Sequence, residues 1–314
     1  MGRRSAEVAG ASERSRGIAA AAALCAVAVA GCGLGPGPDA GSIELTVSRD
    51  YGTRILRSDE VPVKSDDSVI RVLDREAELG TRFGGGFVDA IDGIAGGESG
   101  GRRNDWFFYV NGVESSLGAA EYELGDGDRV WWDYHDWSTA MRVPAVVGDW
   151  PEPFVSDHAD LDWSAGVYCG GAETACERVA AALREEGVET DAPEGADGEI
   201  RVLVGPWDAI RADPVGGLLR FGPDRSGVFA TFAGTGEDTG LTLLSSRGRV
   251  VETFGEGAGL IAALRPDEDA PTWVVTGTDP VGVAAATEAL GEPLADRYAV
   301  AVAPGGDPIG VPVP

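Results

Sequence analysis

The sequence predicts an α+β protein: a small strand-rich module with one helix, then an α/β module built on a mixed sheet. Three observations predict it. Between residues 42 and about 143, short alternating apolar stretches are separated by Gly-rich turns, and one helical stretch interrupts them. After the Pro-containing segment 149–154 the pattern changes to strands alternating with helical stretches. The 314 residues are 43% hydrophobic and 25% charged, a globular composition with room for two ordinary domains.

The chain begins with a basic stretch holding Arg3, Arg4, Arg14 and Arg16, then an apolar run over residues 17–30. That run is too short for a membrane span and suits a signal sequence. It ends in Val29-Ala30-Gly31-Cys32, which resembles the lipobox of bacterial lipoproteins. The resemblance implies that residues 1–31 are removed, that Cys32 becomes the lipidated N-terminus, and that the protein sits on the extracytoplasmic face of a bacterial membrane. Two or three acyl chains, at about 0.8 kcal/mol per buried methylene, anchor stably. An ordinary cleaved signal peptide is the other reading. Residues 32–41 are Gly/Pro-rich and read as a tether.

Charge restricts the partners. The full chain carries 25 basic and 52 acidic residues, net −27. The leader has a surplus of two positive charges, so residues 32–314 stand near −29. Such a surface repels nucleic-acid backbones and anionic lipid faces. One lysine, Lys64, stands among the 25 basic residues, which with abundant Gly and Ala reflects GC-rich codon usage. Of the four cysteines, Cys25 leaves with the leader and Cys32 is lipidated. Cys169 and Cys176 remain, in a compartment that permits a disulfide; a redox or metal pair is the alternative.

The first module spans residues 42–148. Residues 42–48 alternate as a strand through Ile43, Leu45 and Val47. A helix capped by Ser65 or Asp66 runs through Val69, Ile70, Val72 and Leu73. Residues 87–94 alternate again, flanked by Gly-rich loops at 82–86 and 96–103. Then Trp106, Phe108 and Val110 share one strand face, with Phe107 and Tyr109 on the other. Asn111-Gly112 is a tight-turn signal. A second turn at 125–128 leads to a strand with Val130, Trp132 and Tyr134 on one face and Trp131, Asp133 and His135 on the other. One helix cannot shelter large rings on both faces of a small sheet, so another domain or a ligand must cover some of them.

The run Trp106-Phe107-Phe108-Tyr109-Val110-Asn111-Gly112, then Tyr122, then Gly127-Asp128 before Val130-Trp131-Trp132-Asp133-Tyr134 resembles the transcobalamin-like C-terminal domain. The preceding helix and Phe87-Val88-Asp89-Ala90-Ile91-Asp92-Gly93 fit the same pattern. That family is the small domain of intrinsic factor and transcobalamin and a module of bacterial surface proteins. The resemblance covers residues 42–137 and implies a β-grasp-like fold. In the vitamin carriers this domain closes over cobalamin held mainly by a helical barrel, which this chain lacks. A separate helical-barrel protein and an energy-coupling-factor importer are the implied partners.

Residues 149–164 read as a linker, because Pro151 and Pro153 disfavour helix. The second module, 165–314, is expected to contain a strand at 167–168, a helix over 173–186 and strands at 200–204, 228–232, 241–244 and 249–254. A short helix at 260–264, a strand at 272–276, a helix over 280–290 and a final strand at 298–303 follow. Val202-Leu203-Val204-Gly205 before Pro206-Trp207, and Val274-Val275-Thr276-Gly277 before Pro280, both read as strand, glycine, helix start.

Trp106, Tyr109, Trp131, Tyr134, His135 and Trp137 form the candidate ligand-binding set. Stacked rings beside Asp133 and His135 suit a flat ligand such as a corrin or a sugar face; interdomain core is the alternative. His135 as an axial cobalt ligand is a narrower form of the same idea. His158 stands among Asp157, Asp160 and Asp162, but this stretch lacks the turn glycine and terminal glutamate of a calcium loop, so no metal site is assigned. Gly255-Glu256-Gly257-Ala258-Gly259 follows a strand and opens a short helix, with the wrong spacing and charge for a phosphate loop. Two histidines and no Gly-x-Ser-x-Gly elbow leave no hydrolase triad, and no catalytic residue is assigned. The expectation is a non-enzymatic lipoprotein that captures a small ligand, cobalamin leading and no cofactor intrinsic. The alternative is a structural or adhesion module that binds another envelope protein or a wall polymer.

Overall fold

The computed structural model describes residues 37–156 and 163–314; the leader, Cys32 and His158 lie outside them. In the first module, β1 (Asp39–Arg49) and β2 (Arg54–Lys64) form a hairpin. Helix α1 (Val69–Glu76) follows, then the small antiparallel sheet of β3 (Leu79–Arg82), β4 (Phe87–Ile91) and β5 (Ile94–Ala95). Strands β6 (Gly97–Ser99), β7 (Arg102–Val110), β8 (Val113–Glu114) and β9 (Arg129–Asp136) complete the main sheet, ordered β2-β1-β9-β7-β6 with β8 also on β7. β9 returns parallel to β1 and antiparallel to β7. A hairpin, a helix and a last strand inserted beside the first is the β-grasp-like arrangement.

Local chemistry explains these elements. α1 buries Val69, Val72 and Leu73, one face at helical spacing, against Ile43, Leu45 and Val130. Its N-cap is Ser68, with no side-chain cap bond, rather than Ser65 or Asp66. The β7–β8 turn is Asn111-Gly112, both at positive φ (52° and 74°), as a two-residue hairpin of matching twist demands. Asn111 fixes the turn by donating to Asp128 and accepting from the Arg129 N–H, each at 2.8 Å. Residues 96–103, expected as a loop, instead fold back as the β6–β7 hairpin. β2 has no counterpart among the expected strands; it is an edge strand with most side chains exposed, so its apolar alternation is sparse.

The second module is a six-stranded mixed sheet and a three-stranded antiparallel one. In chain order it contains β10 (Ser164–Cys169), α2 (Glu173–Glu185), β11 (Glu199–Pro206), α3 (Trp207–Ile210) and α4 (Pro223–Ser226). Then come β12 (Ala230–Ala233), β13 (Gly240–Leu244), β14 (Val250–Phe254), β15 (Gly259–Leu264), β16 (Thr272–Gly277), α5 (Pro280–Glu288), β17 (Ala299–Val302) and β18 (Pro308–Val311). The larger sheet is ordered β10-β11-β16-β15-β17-β18, with β10, β11 and β16 parallel. Two expectations are corrected. Residues 260–264 are strand β15, not a helix. They pair with β16 on one side and β17 on the other, and all are buried. A strand buried on both faces reads as one apolar run, which periodicity alone does not separate from a buried helix. The strand at 299–302 is not the last, since β18 pairs with it.

The modules pack together; residues 36–314 form one compact unit. One cluster joins Tyr51, in the turn after β1, and Tyr109 and Trp131 of the first sheet to Phe229, Leu260 and Tyr298 of the second module. The segment after β9 stitches the two: the Val146 N–H donates to the Gly112 carbonyl and the Val147 N–H to the Tyr298 carbonyl. Trp150 and Phe154, in the stretch expected as a linker, are packed, with ring centroids 5.8 and 5.1 Å from that of Trp273. Cys169 and Cys176 form a disulfide between the end of β10 and the first turn of α2.

Candidate functional site

The register of β7 and β9 decides where the aromatic side chains go. Trp106 faces Tyr134, Phe108 faces Trp132 and Tyr109 faces Trp131 across the ladder. The pleat sends Trp106, Phe108, Trp132 and Tyr134 to the α1 side, and Phe107, Tyr109, Trp131, Asp133 and His135 to the side covered by the second module. The alternation expected from the sequence is thus the one formed.

The expected ligand set divides accordingly. Tyr109, Trp131 and His135 are at most 2% exposed and belong to the core between the sheets. The His135 ring lies between Tyr51 and Phe107, at 4.2 and 4.4 Å. Its Nδ1–H donates to Asp133 at 2.8 Å. These three side chains are therefore corrected from ligand face to core; their strand face is the one the second module covers. Tyr134 is half-buried, packs against Trp106 with ring centroids 5.3 Å apart and planes tilted by 53°, and donates to the Ala95 carbonyl at 2.9 Å. It does not line the groove described next; Trp106 and Trp137 do.

That groove, about 530 Å³, runs beside β7. β6 pairs with Arg102–Asn104 and β8 with Tyr109–Val110; among the described residues no strand pairs with 105–108 on that side. The groove occupies this gap. Its apolar walls are Phe87, Trp106, Phe108, Trp132, Trp137 and Met141. Phe108 and Trp132 stack at 4.9 Å. Met141 is 70% exposed. Phe87 and Met141 come from a different sheet and a downstream loop, so no local pattern marks them; Phe108 and Trp132 sit on the alternating face legible in the sequence.

Polar groups are few and placed at the rim. Asp105 accepts from Trp137 Nε1 at 3.0 Å, and the Arg103 guanidinium lies 4.0 Å from the Trp137 ring centroid, fixing that indole from two sides. Burial raises the Glu114 carboxyl above its ordinary range, against the opposing effect of Arg142, whose Nε lies 3.0 Å away. Trp106 Nε1 donates to the Ile94 carbonyl at 2.8 Å. Trp132 Nε1, in contrast, is buried with no partner. An indole N–H is a donor only, so leaving this one unpaired costs about 1–3 kcal/mol of desolvation. The arrangement suits an apolar, flat ligand edge. The Gly255–Gly259 stretch leads into strand β15 and not a helix, so the helix N-terminus expected there is absent.

Residues 66–136, from the approach to α1 through the end of β9, match the model of a family described as a domain of unknown function, DUF4430. No curated protein matches the chain significantly. Among solved structures, haptocorrin in complex with Cbi aligns at 18% identity over 31% of this chain and 25% of its own, with a TM-score of 0.25. A candidate metal-binding protein from Ruminococcus gnavus ATCC 29149 aligns at 16% identity over 31% of this chain and 97% of its own, with a TM-score of 0.24. The chain thus spans about a quarter of the length of the haptocorrin it matches.

Proposed function

We propose that this protein is a non-enzymatic lipoprotein that holds a flat small molecule in the groove beside β7, with cobalamin or a related vitamin as the leading ligand. Cys32 anchors it to the extracytoplasmic face of a bacterial membrane. The observation that carries this reading is an apolar groove of about 530 Å³, walled by aromatic rings. Grooves of roughly 300–1,000 Å³ enclose most of a drug-sized ligand. A corrinoid is larger, so the groove holds one edge and leaves the rest to a second chain, a helical-barrel protein that passes its cargo to an energy-coupling-factor importer. The resemblance of residues 42–137 to the transcobalamin-like C-terminal domain supports the choice of vitamin.

Fluorescence titration with cobalamin, alone and with the barrel protein of the same bacterium, tests this reading. Saturable quenching of the tryptophans is expected, weakened in Trp137→Ala. No quenching in either setting removes the proposal.

A second reading rests on the same gap in pairing. The unpaired edge at 105–108, beside Phe87 and the 88%-exposed Phe83, suits an extended segment of another envelope protein or a wall polymer. Cosedimentation with isolated cell wall, without cobalamin quenching, favours it.

A further inference from the structure

The groove beside β7 is open to water where two of its walls, Phe87 and Met141, stay exposed. Phe87 begins β4, and residues 83–86 before it form the tip of the β3–β4 hairpin. The base of that hairpin is fixed. Arg82 pairs with Phe87 in the ladder, and its guanidinium meets the Asp89 carboxylate at 2.8 Å. The tip is free: a Cβ placed on Gly84, Gly85 or Gly86 would meet no atom within 4 Å.

Two features of this tip serve nothing in the conformation it holds. Phe83 is 88% exposed at a φ of 55°, a backbone region that a bulky side chain enters only at a cost. Its ring meets that of Phe87 with centroids 6.3 Å apart and planes at 73°, so it stands one ring away from the groove. A strained phenyl in water fills no core. Gly86 is the second feature. It lines the groove, its φ of −83° suits any residue, and a side chain there has room. The conformation held therefore does not ask for glycine at this position. Three glycines in a row after an exposed aromatic make a hinge, whose backbone angles change at little steric cost.

We propose that the 83–86 tip is a lid, and that Phe83 swings from water onto the outer face of a flat ligand seated in the groove. The closed ring covers the open side, buries its own apolar surface and keeps water from the bound molecule. Without a ligand the ring has no surface to cover, and it stays in solvent. This inference rests on the groove reading above and adds to it a moving part that governs release.

Stopped-flow tryptophan quenching of the full chain with cyanocobalamin, and fluorine NMR of the chain labelled with fluorophenylalanine, test the lid. Phe83→Gly should release cobalamin about fivefold faster with association unchanged. Its melting temperature should be no lower than that of the wild type, since glycine suits the φ of 55°. Phe83→Tyr, which keeps a ring, should restore slow release. Phe221→Ala, which removes an exposed ring that does not line the groove, should leave release within about twofold. The Phe83 fluorine resonance, assigned by its loss in Phe83→Gly, should shift and broaden at saturation. Unchanged release from Phe83→Gly, a fluorine resonance indifferent to saturation, or a Phe83→Gly chain that melts well below the wild type overturns the lid and leaves the groove reading in place. So does a Phe83→Gly chain that loses the barrel protein but holds cobalamin as before, because Phe83 is then a protein contact. No quenching of the wild type removes the groove reading and the lid with it.

Discussion

The Asp133 carboxylate accepts a hydrogen bond from the His135 ring at 2.8 Å, and both side chains are sealed between the two modules. Asp133 also accepts from the Tyr51 N–H at 2.9 Å, the Gly52 N–H at 3.1 Å and the Ser48 hydroxyl. Trp131 Nε1 donates in turn to Ser48 at 2.7 Å. One carboxylate thus ties β1, the turn after it and β9 into the face on which the second module sits.

Removing that carboxylate takes the acceptor from four donors, three of them buried. Asp133→Ala should cost about 3–5 kcal/mol, the penalty for breaking a buried charged network. Urea unfolding at pH 7 measures it. Burial opposes ionisation of Asp133, but His135, Ser48 and the Gly52 N–H outweigh it and hold the group below its ordinary value. A lowered carboxyl contributes stability above its unfolded value, about 3.9, and loses it as the pH falls further. Acid unfolding of the native chain below pH 4 should be steeper than that of Asp133→Asn.

Asp149 carries the opposite sign. Burial pushes its carboxyl up to about 7, despite Arg129 and the Gly112 N–H it accepts from at 2.8 Å; Glu44 and Glu152 push it further. The folded chain keeps this proton between pH 4 and 7 while the unfolded chain releases it. Stability therefore falls as the pH rises through that window, by about 4 kcal/mol for this group alone. Asp149→Asn keeps an acceptor for Gly112 and removes the titration. Its stability from pH 4 to 7 should be flatter than wild type, and at pH 8 it should be higher, as denaturant melts at each pH will report.

The faces of β7 and β9 were legible in the sequence because side chains alternate along a strand whatever the tertiary context. Which face the protein itself would cover was not. The contacts that bury Trp131 come from Tyr298, far along the chain, with ring centroids 5.2 Å apart. The groove was half legible for the same reason: Trp106 and Trp137 are local to the aromatic run, whereas Phe87 and Met141 reach it only through topology. β15, Gly-Leu-Ile-Ala-Ala-Leu, lacks the alternation of a half-buried strand, so its periodicity does not separate it from a buried helix. The turn at Asn111-Gly112 was readable from two residues, since few other pairs adopt positive φ in succession at low cost.

The Cys169–Cys176 disulfide closes a short loop between β10 and α2. Chain-entropy reasoning gives it about 2–3 kcal/mol. Thermal unfolding with and without reductant, and of Cys169→Ser/Cys176→Ala, should show a loss of that size. Binding in the groove beside β7 should not change, because none of its walls comes from β10 or α2.

Trp131 and Trp137 separate core from groove in one pair of variants. Trp131 is 1% exposed and packs among Tyr109, Tyr298 and Ser48. Truncation to alanine leaves a large cavity, at about 3–5 kcal/mol. Trp137 is half-buried at the groove's rim, held by Asp105 and Arg103, and its truncation should cost about 1 kcal/mol. Ligand quenching should change in the reverse order. Trp137→Ala lowers affinity in a fully folded protein, whereas Trp131→Ala, measured below its lowered melting temperature, binds with near-native affinity. If Trp131→Ala loses binding while still folded and Trp137→Ala does not, the ligand contacts the face between the modules and the groove is not its site.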